Sequence, residues 1–233
     1  MAAGSPKRCD EQLNSITDIP SLNAIVDVDV AARHGWTPLD LARAFIDGGA
    51  TFLQLRAKNM AADAFFATAE ALVELARGHR ARVIVNDRAD IARLARAHGV
   101  HIGQEDLPPA AVRSIVGGAA IVGLSTHTVE QVDRAILEPV SYVAIGPVFG
   151  TTTKVTGADR VGLAMVRDAA ARAAAKGLPL VAIGGITLDN AASVLAAGAA
   201  SVAVISDLLG TGDPEARVRD FVRRLSRSEP PRV

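Results

Sequence analysis

Apolar positions fall along this chain in two alternating rhythms. Short aliphatic or β-branched runs end in polar or glycine-containing stretches. Longer segments follow, with apolar residues every three or four positions. The first rhythm is that of buried parallel strands, the second that of helices with one apolar face. It predicts strands over 22–28, 51–55, 83–85, 100–102, 120–124, 141–145, 178–183 and 200–205. A loop through His34-Gly35-Trp36 leads to a helix with Thr37 as N-cap and Pro38 at its first position, ending at Gly48-Gly49. Further helices are predicted over 61–77, 89–97, 129–137, 163–176, 188–197 and 214–226, with a short one between Pro108-Pro109 and Gly117-Gly118.

Eight strands alternating with eight helices across short connections point to an α/β chain closed as a single (β/α)8 TIM barrel. The competing open, doubly wound sheet would carry a Gly-rich phosphate turn after its first strand. Val28-Asp29-Val30-Ala31 is no such turn. No low-complexity linker divides the chain. Residues 1–20 read as a flexible polar tail, 21–227 as the barrel domain, and 228–233 as a frayed end.

Composition narrows the partners. Lys plus Arg and Asp plus Glu are 25 each, so no net charge favours nucleic acid or a membrane surface. Cys9 is the sole cysteine, which excludes an intrachain disulfide and a Cys-based zinc site, and its polar tail makes it incidental. No apolar run reaches the roughly 20 residues of a membrane span. The start of the chain has no apolar signal core. A soluble cytoplasmic protein acting on small molecules is the expectation.

In a barrel the chemistry sits where the strands end. Asp87 and Asp106 follow consecutive strands and would share one rim, where two carboxylates suit a hard cation such as Mg²⁺. Either aspartate alone could be an ordinary cap or turn former. Alternation puts Gln54, Arg56 and Lys58 on one face, two cations and an amide suited to an anionic ligand. Ser125-Thr126-His127 offers a Ser-x-His pair, but no third residue is placed to orient the histidine. Ser125 reads as a polar contact, and His127 as either a substrate contact or a loop residue. Thr151, Thr152, Thr153 and Lys154 form an anion-binding loop. Gly184 and Gly185 let backbone approach a phosphate closely, in the corner where such barrels often bind one.

The succession QLRAK, VNDRAD, HIGQED, STHT, GPVFGTTTK, AIGGI and VAVIS resembles the thiamine phosphate synthase family, in order, over residues 24–209. The resemblance implies a Mg²⁺-dependent barrel that joins a hydroxymethylpyrimidine diphosphate to a thiazole phosphate and releases pyrophosphate by a dissociative substitution. It implies that Gln54, Arg56, Lys58, Asn86, Ser125 and Lys154 bind the pyrimidine diphosphate. Arg56, Lys58, Ser125 and Lys154 would be catalytic, and Asp87 and Asp106 would hold Mg²⁺. Thr151, Thr152, Thr153, Gly185, Val204, Ile205 and Ser206 would face the thiazole phosphate. The chain departs from the family's usual pattern in the first strand, at Asn23, Ala24 and Val26-Asp27, and after Lys154, where prolines are usual. Two rivals remain. One is a related barrel that isomerises the thiazole phosphate through a histidine at the Ser-x-His position. The other is a non-catalytic ligand-binding barrel.

Overall fold

Eight parallel strands close on themselves in sequence order, with β8 returning to β1. They are β1 (Leu22–Asp27), β2 (Phe52–Arg56), β3 (Arg82–Asn86), β4 (Gly99–Ile102), β5 (Ile121–Thr126), β6 (Tyr142–Ile145), β7 (Leu180–Ile183) and β8 (Ser201–Val204). This computed structural model describes residues 19–150 and 160–226. Cys9, Thr151, Thr152, Thr153 and Lys154, with the stretch after Lys154, lie outside the described residues.

The helices form the outer ring. They are α1 (Val28–Arg33), α2 (Pro38–Asp47), α3 (Ala62–Arg77), α4 (Ala89–Leu94), α5 (Pro109–Val116), α6 (Val129–Ala135), α7 (Gly162–Ala174), α8 (Leu188–Ala196) and α9 (Pro214–Ser226). Each longer helix turns its apolar stripe to the strands: Leu41, Ala42 and Phe45 of α2 and Val218, Phe221 and Leu225 of α9 are buried. Fully burying a Val, Leu or Phe side chain contributes about 1.5–3 kcal/mol. Thr37 caps α2 as its sequence predicts, its hydroxyl accepting from the Asp40 N–H at 3.1 Å.

Two local expectations are corrected. The first strand stops at Asp27, and a short helix, α1, follows where a loop was expected. Val26-Asp27-Val28-Asp29-Val30 alternates like a strand, but the Asp27 carboxylate accepts the Val30 N–H at 3.0 Å and starts a helical turn instead. The second concerns the helix expected over 89–97: α4 ends at Leu94, and the chain turns at Arg96, which has φ +55°. Gly99 opens β4, where a Cβ would lie 2.0 Å from the Ile121 carbonyl oxygen of the neighbouring strand.

Register identifies what points inward. Ile25 pairs with Gln54, Gln54 with Ile84, and Asp27 with Arg56, so one parity of each strand faces the barrel axis. At mid-height that set includes Phe52 and Tyr142, packed edge to face with centroids 6.3 Å apart. Above them the interior turns polar: Asp27, Gln54, Asn86 and His101 are all buried at the C-terminal end of their strands. Among the described residues, no helix is long and apolar enough to cross a membrane.

Candidate active site

The rim over β1 to β4 is built from charged side chains. Arg56 and Asp27, paired in register, form an ion pair whose side chains are 14% and 3% exposed. Gln54 donates from Nε2 to Asn86 Oδ1 at 2.6 Å, which orients both amides and leaves Gln54 Oε1 and Asn86 Nδ2 for other partners. Lys58 reaches Asp87 with Nζ to Oδ2 at 2.5 Å. Asp87 stands in the left-handed region at φ +64°, a conformation aspartate tolerates better than most residues. Its N–H donates to the His101 carbonyl at 2.7 Å. Asp106 Oδ2 accepts the Gly103 N–H at 2.7 Å. Burial, and then the negative charge of Asp87, raise the Asp106 carboxyl above the usual carboxylate range.

The two carboxylates therefore stand side by side, and the charge of Asp87 makes ionising Asp106 more costly. A divalent cation would relieve that repulsion. Among the described residues no group of three or more His, Cys, Asp or Glu side chains could hold a metal. A cation between Asp87 and Asp106 would take two oxygen ligands from them and the rest from water and phosphate, an arrangement that suits Mg²⁺ and is poor for zinc. The donor set fits the ion that the sequence implies.

The rim over β5 to β8 is built from backbone. Gly184 has φ +99°, and a Cβ there would lie 2.5 Å from Pro147 Cα. Gly185 has φ +65°, and its Cβ would lie 2.5 Å from the Gly150 carbonyl oxygen. The Val148 N–H donates to the Ile183 carbonyl at 2.9 Å and the Phe149 N–H to the Gly184 carbonyl at 3.0 Å. So the first body pressed against Gly185 is the loop after β6, rather than open space for a phosphate. The glycine serves the corner by letting two strand-end loops touch. Asn190 secures it, accepting the Thr187 N–H at 2.8 Å and donating to the Gly185 carbonyl at 3.0 Å.

These rims enclose two cavities. The charged one, ≈ 630 Å³, is lined by Arg56, Lys58, Asn86, Asp87 and Asp106 among others. The backbone one, ≈ 360 Å³, is lined by Gly185, Val204, Ile205 and Ser206, with Gly146 and Pro147 opposite. Ser125 and His127 line both.

A family model described as thiamine monophosphate synthase matches residues 23–208. The chain belongs to that family. It is 45% identical over 202 residues to a thiamine-phosphate synthase of Roseiflexus castenholzii, covering 86% of this chain and 87% of the relative. With a thiamine-phosphate synthase of Moorella thermoacetica the identity is 40%, over 88% and 98% of the two chains. The solved thiamine phosphate pyrophosphorylase of Pyrococcus furiosus superposes with a TM-score of 0.82 at 29% identity, covering 93% of this chain and all of that one.

Within this thiamine monophosphate synthase barrel, the described residues that the sequence singles out line one or other of the two cavities, except Gln54, which is buried behind Asn86 and meets the charged cavity only through it. Alternation turns the Val204 side chain toward the helices, so what it offers the cavity is backbone. His127 is fixed by its loop: its N–H donates to Gln131 Oε1 and its Nδ1 to the Gly146 carbonyl, both at 2.6 Å.

Several site residues escaped the sequence reading. Asp27 holds Arg56 in place, and its signal was a carboxylate at a strand end, as for Asp87. Asp29 and Arg33 line the charged cavity from α1, an element the reading missed. Asp207 accepts the Leu188 N–H at the start of α8 at 3.1 Å and pairs with Arg217 at 2.8 Å, closing the floor of the backbone cavity. His101, inside the HIGQED segment, contacts Ser125.

Proposed function

We propose that this barrel is a thiamine-phosphate synthase, a transferase that joins 4-amino-2-methyl-5-(diphosphooxymethyl)pyrimidine to thiazole phosphate, releasing pyrophosphate. The observation that carries the reading is the pair of anion-suited cavities sharing one wall at Ser125 and His127. Two phosphorylated substrates bound there would meet edge to edge, with their phosphates held apart.

The reaction breaks the C–O bond between the pyrimidine methylene and its diphosphate, and the electron pair leaves on pyrophosphate. The aminopyrimidine stabilises the resulting methylene cation. The thiazole nitrogen then gives its lone pair to form the new C–N bond. No proton needs to move, so the residues' tasks are charge neutralisation and positioning. Arg56 and Lys58, with Lys154 by family resemblance, neutralise the diphosphate. Asp87 and Asp106 would hold Mg²⁺, which supplies further positive charge beside the leaving group. Gln54, Asn86 and Ser125 present polar atoms to the pyrimidine. Gly185, Val204, Ile205 and Ser206 form the wall against the thiazole phosphate, with Thr151, Thr152 and Thr153 assigned to it by resemblance.

Pyrophosphate release, measured with each substrate alone and with both, with and without Mg²⁺, tests this. Rapid release is expected with both substrates and Mg²⁺ together. Isomerisation of thiazole phosphate with no coupled product would move the assignment to the isomerase rival. Binding without turnover would move it to a ligand-binding barrel.

A further inference from the structure

One rung of the barrel, just below the mouth, carries His101 on β4, Gly123 on β5 and Tyr142 on β6, each in register with the next. The tyrosine ring reaches across the glycine. A Cβ on Gly123 would lie 2.0 Å from Tyr142 Cζ and 2.3 Å from its hydroxyl. Beyond it the ring stacks on His101, with centroids 5.6 Å apart and planes 17° from parallel. The Tyr142 hydroxyl is 2.8 Å from His101 Nδ1, and His101 Nε2 is 2.8 Å from Ser125 Oγ. A serine, a histidine and a third polar group in line have the outline of a nucleophile with its base.

The direction of the hydrogen bonds says otherwise. Tyr142 is fully buried, and burial pushes its phenol well above the usual tyrosine range, so it keeps its proton. A buried O–H needs an acceptor. Among the described residues its hydrogen-bond partner is Nδ1 of His101, so the phenol donates and Nδ1 accepts. A neutral imidazole that accepts at Nδ1 carries its proton on Nε2. That N–H then donates to Ser125 Oγ. In a Ser-His-Asp triad the third group accepts from Nδ1, which leaves Nε2 free to draw the serine proton. Here the third group donates and the polarity runs the other way. Nε2 has no lone pair for the Ser125 proton, which must point elsewhere.

We propose that Tyr142 and His101 are positioning residues that fix Ser125 as a hydrogen-bond donor to an acceptor atom of the pyrimidine diphosphate. This rests on the placement of Ser125 against that substrate in the proposed function. The rung, however, sets the hydroxyl's direction before any substrate arrives.

The test begins with the unliganded protein carrying ¹⁵N-labelled histidine, read at neutral pH through long-range ¹H–¹⁵N couplings. His101 is assigned by the signal missing from His101→Gln. The expected spectrum is a neutral ring with the proton on Nε2. A proton on Nδ1, or a doubly protonated ring, overturns the proposal whatever the substrate proves to be. Tyr142→Phe keeps the ring and removes the donor. It should release His101 into a mixture of tautomers and raise KM for the pyrimidine diphosphate roughly 3- to 10-fold, the loss of one neutral hydrogen bond. A variant with both tautomer and KM unchanged overturns it too. If Tyr142→Phe fails to fold, the wild-type spectrum still decides the polarity. An Nε2–H ring in a protein that neither binds nor turns over the pyrimidine diphosphate would leave the polarity standing and bring down the functional reading, together with the acceptor assigned to Ser125.

Discussion

The two rims of this barrel mouth prepare for an anion in opposite ways. Over β1 to β4 the groups are side chains with formal charge, already engaged with one another: Arg56 with Asp27, Lys58 with Asp87. Over β5 to β8 they are peptide groups, glycines with positive φ and loops packed at van der Waals limits. The first arrangement suits a group whose charge changes during reaction, since cations there gain most as negative charge collects on a leaving pyrophosphate. The second suits a phosphate that is only held. A transferase with one reacting diphosphate and one spectator phosphate has use for both.

The largest effect should come from the base of the charged rim. Arg56→Ala leaves Asp27 buried without its partner, a change that typically costs about 3–5 kcal/mol. For a domain of this size that is a fall of roughly 6–20 °C in Tm. The double variant Asp27→Leu with Arg56→Met should recover much of it while turnover stays lost. An Arg56→Ala protein that melts with wild type would show the pair to be unimportant to the fold.

The two rims separate more cleanly in a kinetic pair. The Lys58 side chain is 50% exposed, so Lys58→Ala should leave Tm near wild type. Its kcat/KM for the pyrimidine diphosphate should fall about 10²–10³-fold, as when one preorganised donor is removed from a charge-stabilising site. Gly185→Ala places a methyl against the Gly150 carbonyl at a strained φ. It should raise KM for thiazole phosphate about tenfold, or ~1.4 kcal/mol, and change the pyrimidine KM little. If each variant instead weakens the other substrate, the two rims have been assigned the wrong way round.

The smallest effect lies beneath the charged rim. His98 Nδ1 accepts the Val83 N–H at 3.0 Å, which requires a neutral ring. Burial, and then Arg82 and Arg77, hold its pKa below the ordinary histidine value of 6.5. A depressed folded pKa means that the unfolded chain takes up the proton first. The contribution is therefore whole above about 6.5 and declines as pH falls toward the folded pKa. Denaturant midpoints at pH 7.5 and 5.5 should differ more in wild type than in His98→Asn. Equal differences would remove His98 from the pH response.

What was legible in the sequence follows the same division. Charges at strand ends are letters, and period-two alternation alone sends Gln54 and Arg56 to one face, while Lys58 lies just past the end of β2. Gly184 and Gly185 were visible as a corner, but what they touch depends on a loop from the preceding strand. Asp27 and α1 were hidden because Val-Asp-Val-Asp-Val alternates like a strand until its first aspartate caps a turn. The His101–Gly123–Tyr142 rung was least visible. It depends on the register of three strands, and its one local trace is a glycine inside an otherwise apolar strand.

The ring of strands also divides the chemistry along the chain. Gln54, Arg56, Lys58, Asn86, Asp87 and Asp106 precede the exposed Gly117-Gly118 turn between α5 and β5, and Ser125, Gly185 and Ser206 follow it. A chain cut at that turn would yield two fragments, each with half of the mouth and two unsatisfied strand edges. Neither could turn over alone, and edge pairing would favour their reunion. Pyrophosphate release from the mixed fragments would then count reassembled barrels, making the enzyme a split reporter of its own ring closure.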